Sequence, residues 1–152
     1  MHEMSWLNKD HHFEPGAELF RSERIFAVWS YTVSHGQLLL RSQLRLDDGH
    51  LDTIDILFKP VKAMKLQSRY EGLVIRCASA REAAAAKAEM RQPWPEDRVL
   101  VMESDGIVDY VVSLAVGWCE GVLPPGQRGW FVDDPSRPPP RFVDGVDSGL
   151  SI

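Results

Sequence analysis

Four pairs of residues in which glycine follows a polar residue divide the middle of this chain into short runs. The pairs are His35-Gly36, Asp48-Gly49, Glu71-Gly72 and Asp105-Gly106. Two-residue hairpin loops need positive φ angles, which glycine adopts most readily and aspartate tolerates. The spacing of the pairs therefore predicts antiparallel strands joined by tight turns, and no other feature of the sequence limits the fold as strongly.

The runs between these turns have the two-residue period of strands. Residues 24–33 are rich in β-branched and aromatic side chains, which predicts a strand buried on both faces, with Trp29 in the core. In residues 37–46 four leucines share one face, and Arg41 lies on the other. The same alternation predicts strands at residues 54–58, 72–78, 98–103 and 107–118.

Two segments need separate treatment. Lysines at every third position around residues 59–65 suit a helical turn, whereas the apolar residues between them suit a strand; we favour a strand over Lys62–Arg69. One helix is predicted at about residues 80–92, because Ser79 and Glu82 have the capping-box spacing and Pro93 stops the run. Its alanine-rich face would let it lie closely against a sheet.

These elements predict one domain over residues 1–152, of the α+β class and mostly β. An antiparallel meander of about seven strands would form a sandwich or half-barrel covered by the helix. Residues 1–23 are a polar N-terminal extension, residues 24–119 the β-rich core with its helix, and residues 120–152 a proline- and glycine-rich tail.

Composition limits the class of protein. The chain is 44% hydrophobic and 26% charged, which excludes a disordered or fibrous chain. A net charge of -5 argues against a nucleic-acid or anionic-membrane binder. The first residues lack a secretory pattern, and the apolar run 110–118 is far shorter than the roughly 20 residues of a membrane helix. We therefore expect a cytoplasmic protein that binds neither nucleic acid nor membrane.

The reactive residue types form no recognised catalytic pattern. His2, His11 and His12 are suitable zinc or nickel ligands in unsuitable spacing, so metal binding there stays open. Asp55 lies opposite the apolar face of its strand, which favours a solvated position. Cys77 and Cys119 suit buried free thiols, although a disulfide is not decided. We assign no catalytic, metal-binding or cofactor-binding residue and no cofactor, and lean against an enzyme.

Basic residues are candidates for contacts with phosphate or nucleic acid, and aromatic residues are candidates for contacts with a protein. Lys59, Lys62, Lys65, Arg69 and Arg76 are interpreted as an ordinary solvated face, because acidic residues match the basic ones in the core. Trp94 is held between two prolines, and Trp130 and Phe131 lie in a glycine- and proline-rich segment. Tryptophan on a rigid loop is a common interface anchor. These three aromatic residues are the predicted interaction anchors, for a protein partner or a second copy.

The segments VWSYTVSHGQLLLRS (residues 28–42) and IDILFKPVKAMKL (residues 54–66) resemble small β-rich bacterial proteins of a family with no assigned activity. The resemblance covers about the first half of the core and implies no site. The expected function is a non-catalytic protein-interaction module. It would either self-associate, for example as a homodimer, or act as a small acidic partner of the immunity-protein type.

The alternative is a small-molecule-binding or hydrolytic protein with a pocket inside the curled sheet. An interior filled by Leu40, Ile56, Ile75 and Val112 would count against that alternative.

Overall fold

The computed structural model describes residues 3–6 and 13–127, the first of these ranges by its backbone. Its elements are β1 (Glu3–Trp6), β2 (Glu18–Thr32), β3 (Gln37–Arg45), β4 (Leu51–Lys65), β5 (Arg69–Cys77), α1 (Ala80–Ala88), β6 (Arg98–Ser104) and β7 (Ile107–Leu123). β1 and the start of β2 come from the polar segment at the N-terminus. Phe20 in β2 belongs to the interior cluster, so part of that segment is built into the sheet.

The strands form one antiparallel sheet that closes on itself. β2, β3 and β4 are consecutive neighbours, and so are β5, β6 and β7. The two groups join where β5 pairs with β2 and β7 pairs with β4. β1 extends the sheet beside the end of β7, beyond the stretch that pairs with β6. The predicted mostly β, antiparallel fold with one helix is confirmed for the described part of the chain. The strand order adds that the meander is interrupted twice, between β1 and β2 and between β4 and β5.

The interior of the closed sheet is filled by large apolar side chains. They come from every strand between β2 and β7 and include Phe26, Leu38, Leu40, Ile56, Phe58, Tyr70, Ile75 and Met102, all of which are almost fully buried. This cluster is the main source of stability, because burying each such side chain contributes roughly 1.5–3 kcal/mol.

The helix covers part of the outside of the sheet. It begins with both hydrogen bonds of a capping box: Glu82 N donates to Ser79 Oγ at 3.1 Å, and Ser79 N donates to Glu82 Oε1 at 2.9 Å. Ala86 packs against Val99, Val101 and Val112. The helix ends at Ala88 rather than at the predicted residue 92.

The turns follow the glycine pairs in three of the four cases. Asp105 and Gly106 both have positive φ, 47° and 82°, as the tight turn between β6 and β7 requires. The Glu71-Gly72 pair, however, lies inside β5. Gly72 has a φ of 77° and faces β2 where the register shifts between Ser22 and Ile25, so it accommodates a bulge instead of a turn.

The strand predicted over Lys62–Arg69 is not a separate element. β4 continues through Pro60 to Lys65, and β5 begins at Arg69 after a short connection. Residues 62–65 are thus the end of one long strand, residues 66–68 connect it to β5, and the alternative of a helical turn is not formed. No helix in the described part of the chain is long and apolar enough to cross a membrane.

Several side chains differ from the prediction in their burial or in the face that they occupy. Arg41 is buried, whereas Leu44 and Leu46 are exposed, because β3 extends beyond the closed part of the sheet. Trp29, for which the sequence predicts a core position, is 52% exposed. Val112 packs beneath α1, while Val116 lies in the interior, so the side-chain alternation of β7 changes phase between them.

Candidate functional site

Two half-exposed tryptophans each lie on a cation that is held by a buried carboxylate. We call such an arrangement a tryptophan stack. In the first, Arg41 Cζ is 4.9 Å from the ring centroid of Trp29. Arg41 Nε donates to Asp55 Oδ1 at 2.7 Å, and Arg41 Nη2 donates to Asp55 Oδ2 at 3.1 Å. The two charged side chains are 2% and 0% exposed, so this is a fully buried, bidentate ion pair.

The strand register explains how the first stack forms. Arg41 and Asp55 are directly opposite each other on β3 and β4. Their neighbours Leu40 and Ile56 face the interior, so the ion pair lies on the outer side of the sheet. Trp29 is the extra residue at the register shift between Val28 and Ser30 of β2. A bulge re-aims a side chain, and here it places the indole over the guanidinium.

The second stack lies in the loop between α1 and β6. Lys62 Nζ is 3.3 Å from the ring centroid of Trp94 and 3.1 Å from Asp97 Oδ1. The Asp97 side chain is 0% exposed. Its Oδ2 also accepts a hydrogen bond from Trp94 N at 2.8 Å, while Asp97 N donates to Trp94 O at 3.1 Å. Lys87 Nζ of the helix donates to the same carbonyl at 3.1 Å, which ties the loop to α1.

Both indoles combine a fixed position with a free surface. Trp29 is 52% exposed and Trp94 is 51% exposed. A cation beneath an aromatic ring attracts it by about 0.5–2 kcal/mol, depending on how far the pair is desolvated. The buried carboxylates hold the cations, and the cations in turn hold the rings. The stacks therefore present apolar area whose side-chain entropy is already reduced before any partner arrives.

Only some of the residues that the sequence predicts to be functional lie in the described part of the chain. Of the three predicted anchors, Trp94 lies in the second stack, whereas Trp130 and Phe131 lie outside the described residues. The histidines at 2, 11 and 12 also lie outside them. Asp55, expected on a solvated face, is completely buried, because it is paired with Arg41 on a face that is itself covered.

Sequence reasoning missed the first stack, although one signal for it was present. Arg41 and Asp55 lie seven residues before and seven residues after Asp48. A hairpin that turns at Asp48-Gly49 brings positions at equal distances into register, and opposite charges there form a cross-strand pair. The bulge that places Trp29 over this pair has no comparable signal in the sequence.

A cleft of about 370 Å³ lies on the outer wall of the sheet. It is bounded by Arg21, Arg76, Glu103 and the turn between β6 and β7. Arg76 is already engaged by two carboxylates: it donates to both oxygens of Glu82, at 2.7 and 2.8 Å, and to Glu103. This pairing, with help from the Ser79 backbone, lowers the pKa of Glu82 to about 2. Arg21 is likewise paired with Glu18, so both arginines of the cleft are already engaged by carboxylates.

The predicted basic face is also mostly paired. Lys62 belongs to the second stack, Lys65 Nζ is 3.9 Å from Asp109 Oδ1, and Arg69 Nη2 is 3.6 Å from Glu71 Oε1. Its positive charge is therefore partly neutralised locally.

The two cysteines are both free thiols, which decides between the alternatives left by the sequence. Cys119 lies beside Asp55 across the β4–β7 register and is fully buried. Burial, together with the negative charge of Asp55, raises the pKa of Cys119 well above its ordinary value. The thiol is consequently protonated at neutral pH and inert as a nucleophile. Within residues 3–6 and 13–127, no three His, Cys, Asp or Glu side chains are grouped as metal ligands.

Comparison of the chain with protein-family models, with curated proteins and with solved structures found no match.

Proposed function

We propose that this protein is a non-catalytic, cytoplasmic protein-interaction module and that Trp29 and Trp94 are its partner-binding anchors. The observation that carries the proposal is the repeated tryptophan stack, in which a half-exposed indole lies on a cation fixed by a buried carboxylate. Tryptophan and arginine are the residue types most enriched among the few side chains that dominate binding energy at interfaces.

The construction of the stacks favours recognition over general surface stability. An indole placed only to fill its own domain would be buried, whereas each of these rings keeps half of its surface exposed. Covering that remaining area would stabilise a complex by roughly 25 cal/mol for each Å² removed from water. Because the rings are already positioned, little of this gain is lost to ordering them.

The charges of the described surface favour a partner that is recognised through aromatic and apolar contacts. Some of the surface carboxylates are paired with nearby cations, as Glu18 is with Arg21 and Glu82 is with Arg76. Such pairing weakens the long-range field that would steer a strongly basic partner towards the protein. We therefore prefer this version of the proposal, which includes self-association, to an acidic inhibitor of the immunity-protein type.

The pocket alternative receives less support from the interior. Leu40, Ile56 and Ile75 are completely buried in one interior cluster, and Val112 lies outside it beneath the helix. The cleft bounded by Arg76 lies on the outer wall. A ligand pocket inside the sheet stays a prediction without a specific observation in its favour.

The test is a quantitative pull-down with four full-length baits: wild type, Trp29→Ala, Trp94→Ala and Val33→Ala. Val33 is 81% exposed and belongs to neither stack, so it is the matched control for the loss of exposed apolar area. We expect a near-stoichiometric partner that Val33→Ala retains and that at least one tryptophan variant loses.

Equal recovery on all four baits would contradict the assignment of the anchors. The absence of any stoichiometric partner, together with a monomeric mass at all protein concentrations, would contradict the function itself.

A further inference from the structure

The wall of the closed sheet is split on one side. β2 changes its partner at Ala27, because it pairs with β5 up to this residue and with β3 from this residue onwards. β3 continues past the last residue that pairs with β2 and follows β4 as far as Arg45. In the part of the chain that the structure describes, residues 43–45 therefore have a neighbouring strand on one side only. We call these residues, Gln43, Leu44 and Arg45, the open β3 edge.

The hydrogen bonds of the β3–β4 hairpin identify the backbone groups that this edge presents. Leu46 N donates to His50 O at 2.8 Å, so the N–H group of Leu46 points towards the β4 side. Successive residues of an antiparallel strand point their N–H and C=O groups to opposite sides. The groups of Leu44 thus also point to β4, whereas those of Gln43 and Arg45 point away from the sheet.

Arg24 of β2 fills the split immediately before the open β3 edge. Its Nε donates to Ser42 Oγ at 3.0 Å, and its Nη2 donates to Ser42 O at 3.2 Å and to Asp52 O at 2.6 Å. Arg24 Nη1 also lies 3.2 Å from Asp52 Oδ1. These contacts fix β3 up to Ser42, so the three residues that follow are presented from a rigid support.

The side chains at this edge are exposed and partly apolar. Leu44 is 54% exposed, Leu46 is 39% exposed, and Arg45 is exposed as well. An edge that combines unpaired backbone groups with exposed apolar side chains is a template for pairing with another strand.

We propose that the open β3 edge pairs antiparallel with the same edge of a second copy, around a two-fold axis at Leu44. Gln43 then lies opposite Arg45 of the second copy, and Arg45 lies opposite its Gln43, which gives two hydrogen-bonded pairs. Leu44 faces Leu44 of the second copy at the position between them, where opposite Cα atoms are only about 4.5 Å apart and side chains approach most closely.

This register is complementary to itself, whereas its neighbours are not. Gln43 Nε2 donates to Thr53 Oγ1 at 3.2 Å, which leaves Oε1 as an acceptor for Arg45 of the second copy. An axis at Arg45 would place two arginines directly opposite each other, which is unfavourable. An axis at Gln43 would place Arg45 opposite Arg41, which already pairs with Ala27 of β2.

The symmetry also limits the assembly to two copies. Each copy uses the same three residues, so the pairing is isologous and closes without leaving this edge open to a third copy. The inference goes beyond the proposed function, because it uses neither tryptophan stack and holds whether or not Trp29 and Trp94 bind a partner.

The first test is sedimentation equilibrium of the full chain as wild type, Leu44→Lys, Val108→Lys and Trp94→Ala. Val108 is 49% exposed and lies in a strand, so it is the matched control for Leu44. We expect a wild-type dimer whose Kd rises at least tenfold in Leu44→Lys, because like charges would then lie directly opposite each other. Val108→Lys and Trp94→Ala should leave this Kd unchanged.

Two results of this experiment would overturn the proposal. One is a wild-type protein that stays monomeric at every concentration. The other is a dimer that Leu44→Lys weakens no more than Val108→Lys does. A dimer that only Trp94→Ala dissociates is a case of the second result, and it would assign self-association to the tryptophan stack instead.

Disulfide cross-linking tests the register without relying on a destabilised variant. Leu44→Cys should form a covalent dimer under mild oxidation, because a Cα separation of about 4.5 Å lies in the disulfide range. Leu46→Cys is the control, since two residues from the axis on each copy amount to four steps of roughly 3.4 Å, or about 14 Å along the strands. The native thiols of Cys77 and Cys119 are buried in both variants' parent chain. Absence of a covalent dimer for Leu44→Cys, or equal cross-linking of the two variants, would overturn the proposal.

Discussion

Removing the guanidinium of Arg41 should destabilise the protein severely. Arg41→Met keeps the aliphatic stem but leaves the Asp55 carboxylate without its two hydrogen bonds of 2.7 and 3.1 Å. The ion pair is 2% and 0% exposed, so water is not positioned to replace the lost partner. Removing one member of a buried pair typically costs about 3–5 kcal/mol. For a chain of this size that corresponds to a decrease in Tm of about 6–20 °C.

The assay is urea unfolding followed by circular dichroism, with Arg21→Met as the matched control. The Arg21–Glu18 pair is exposed, and its loss should change the free energy of unfolding little. The double variant Arg41→Met/Asp55→Leu should recover most of the loss, because neither charge of the pair then remains buried in the absence of the other. If Arg41→Met proved no more costly than Arg21→Met, the reasoning about the buried pair would be refuted.

Two further predictions concern local structure. Arg76 lowers the pKa of Glu82 to about 2 from an ordinary 4.5, so the stability that Glu82 contributes is complete above about pH 4.5 and is lost as the pH falls towards 2. Glu82→Gln should therefore flatten the decrease in Tm over that pH range. An unchanged profile of Tm against pH would contradict the pairing of Glu82 with Arg76. Gly72→Ala should lower the free energy of unfolding by about 1–2 kcal/mol in urea titrations, because the φ of 77° strains any residue with a Cβ, and a neutral result would contradict the bulge geometry.

Local patterns in the sequence predicted the elements of this fold well. Alternation and turn residues located the strands, and the Ser79–Glu82 spacing located the start of the helix, which has both capping bonds. These features depend on interactions between residues close in sequence. The end of the helix was less predictable, because Met90 packs against the cluster beneath α1 without continuing the helical hydrogen bonds.

The faces of the strands were predicted less well, because alternation separates two sides without saying which of them is covered. Arg41 and Asp55 followed the polar phase correctly but lie on an outer face that is itself buried. Trp29 lies outside the core because a one-residue bulge in β2 re-aims its side chain. The side-chain alternation of β7 also changes phase between Val112 and Val116. Such irregularities come from closing the sheet, which is a property of the whole chain.

The candidate site was half predictable for the same reason. Trp94 stood out because two prolines flank it, and the hydrogen bonds between Trp94 and Asp97 are local. Its cation, Lys62, comes from β4, 32 residues away in the sequence (94 − 62), and only the folded chain brings the two together. Both stacks therefore became recognisable when tertiary contacts joined residues that the sequence keeps apart.

The most direct test of the proposed anchors is the affinity of the captured partner, measured by isothermal titration calorimetry with wild type, Trp94→Ala and Val33→Ala. If the exposed half of the Trp94 ring is a binding anchor, Trp94→Ala should raise Kd at least tenfold, or about 1.4 kcal/mol, while Val33→Ala leaves Kd unchanged. Equal affinities for all three proteins would show that the stacked tryptophan does not bind the partner, and would contradict the proposed recognition surface.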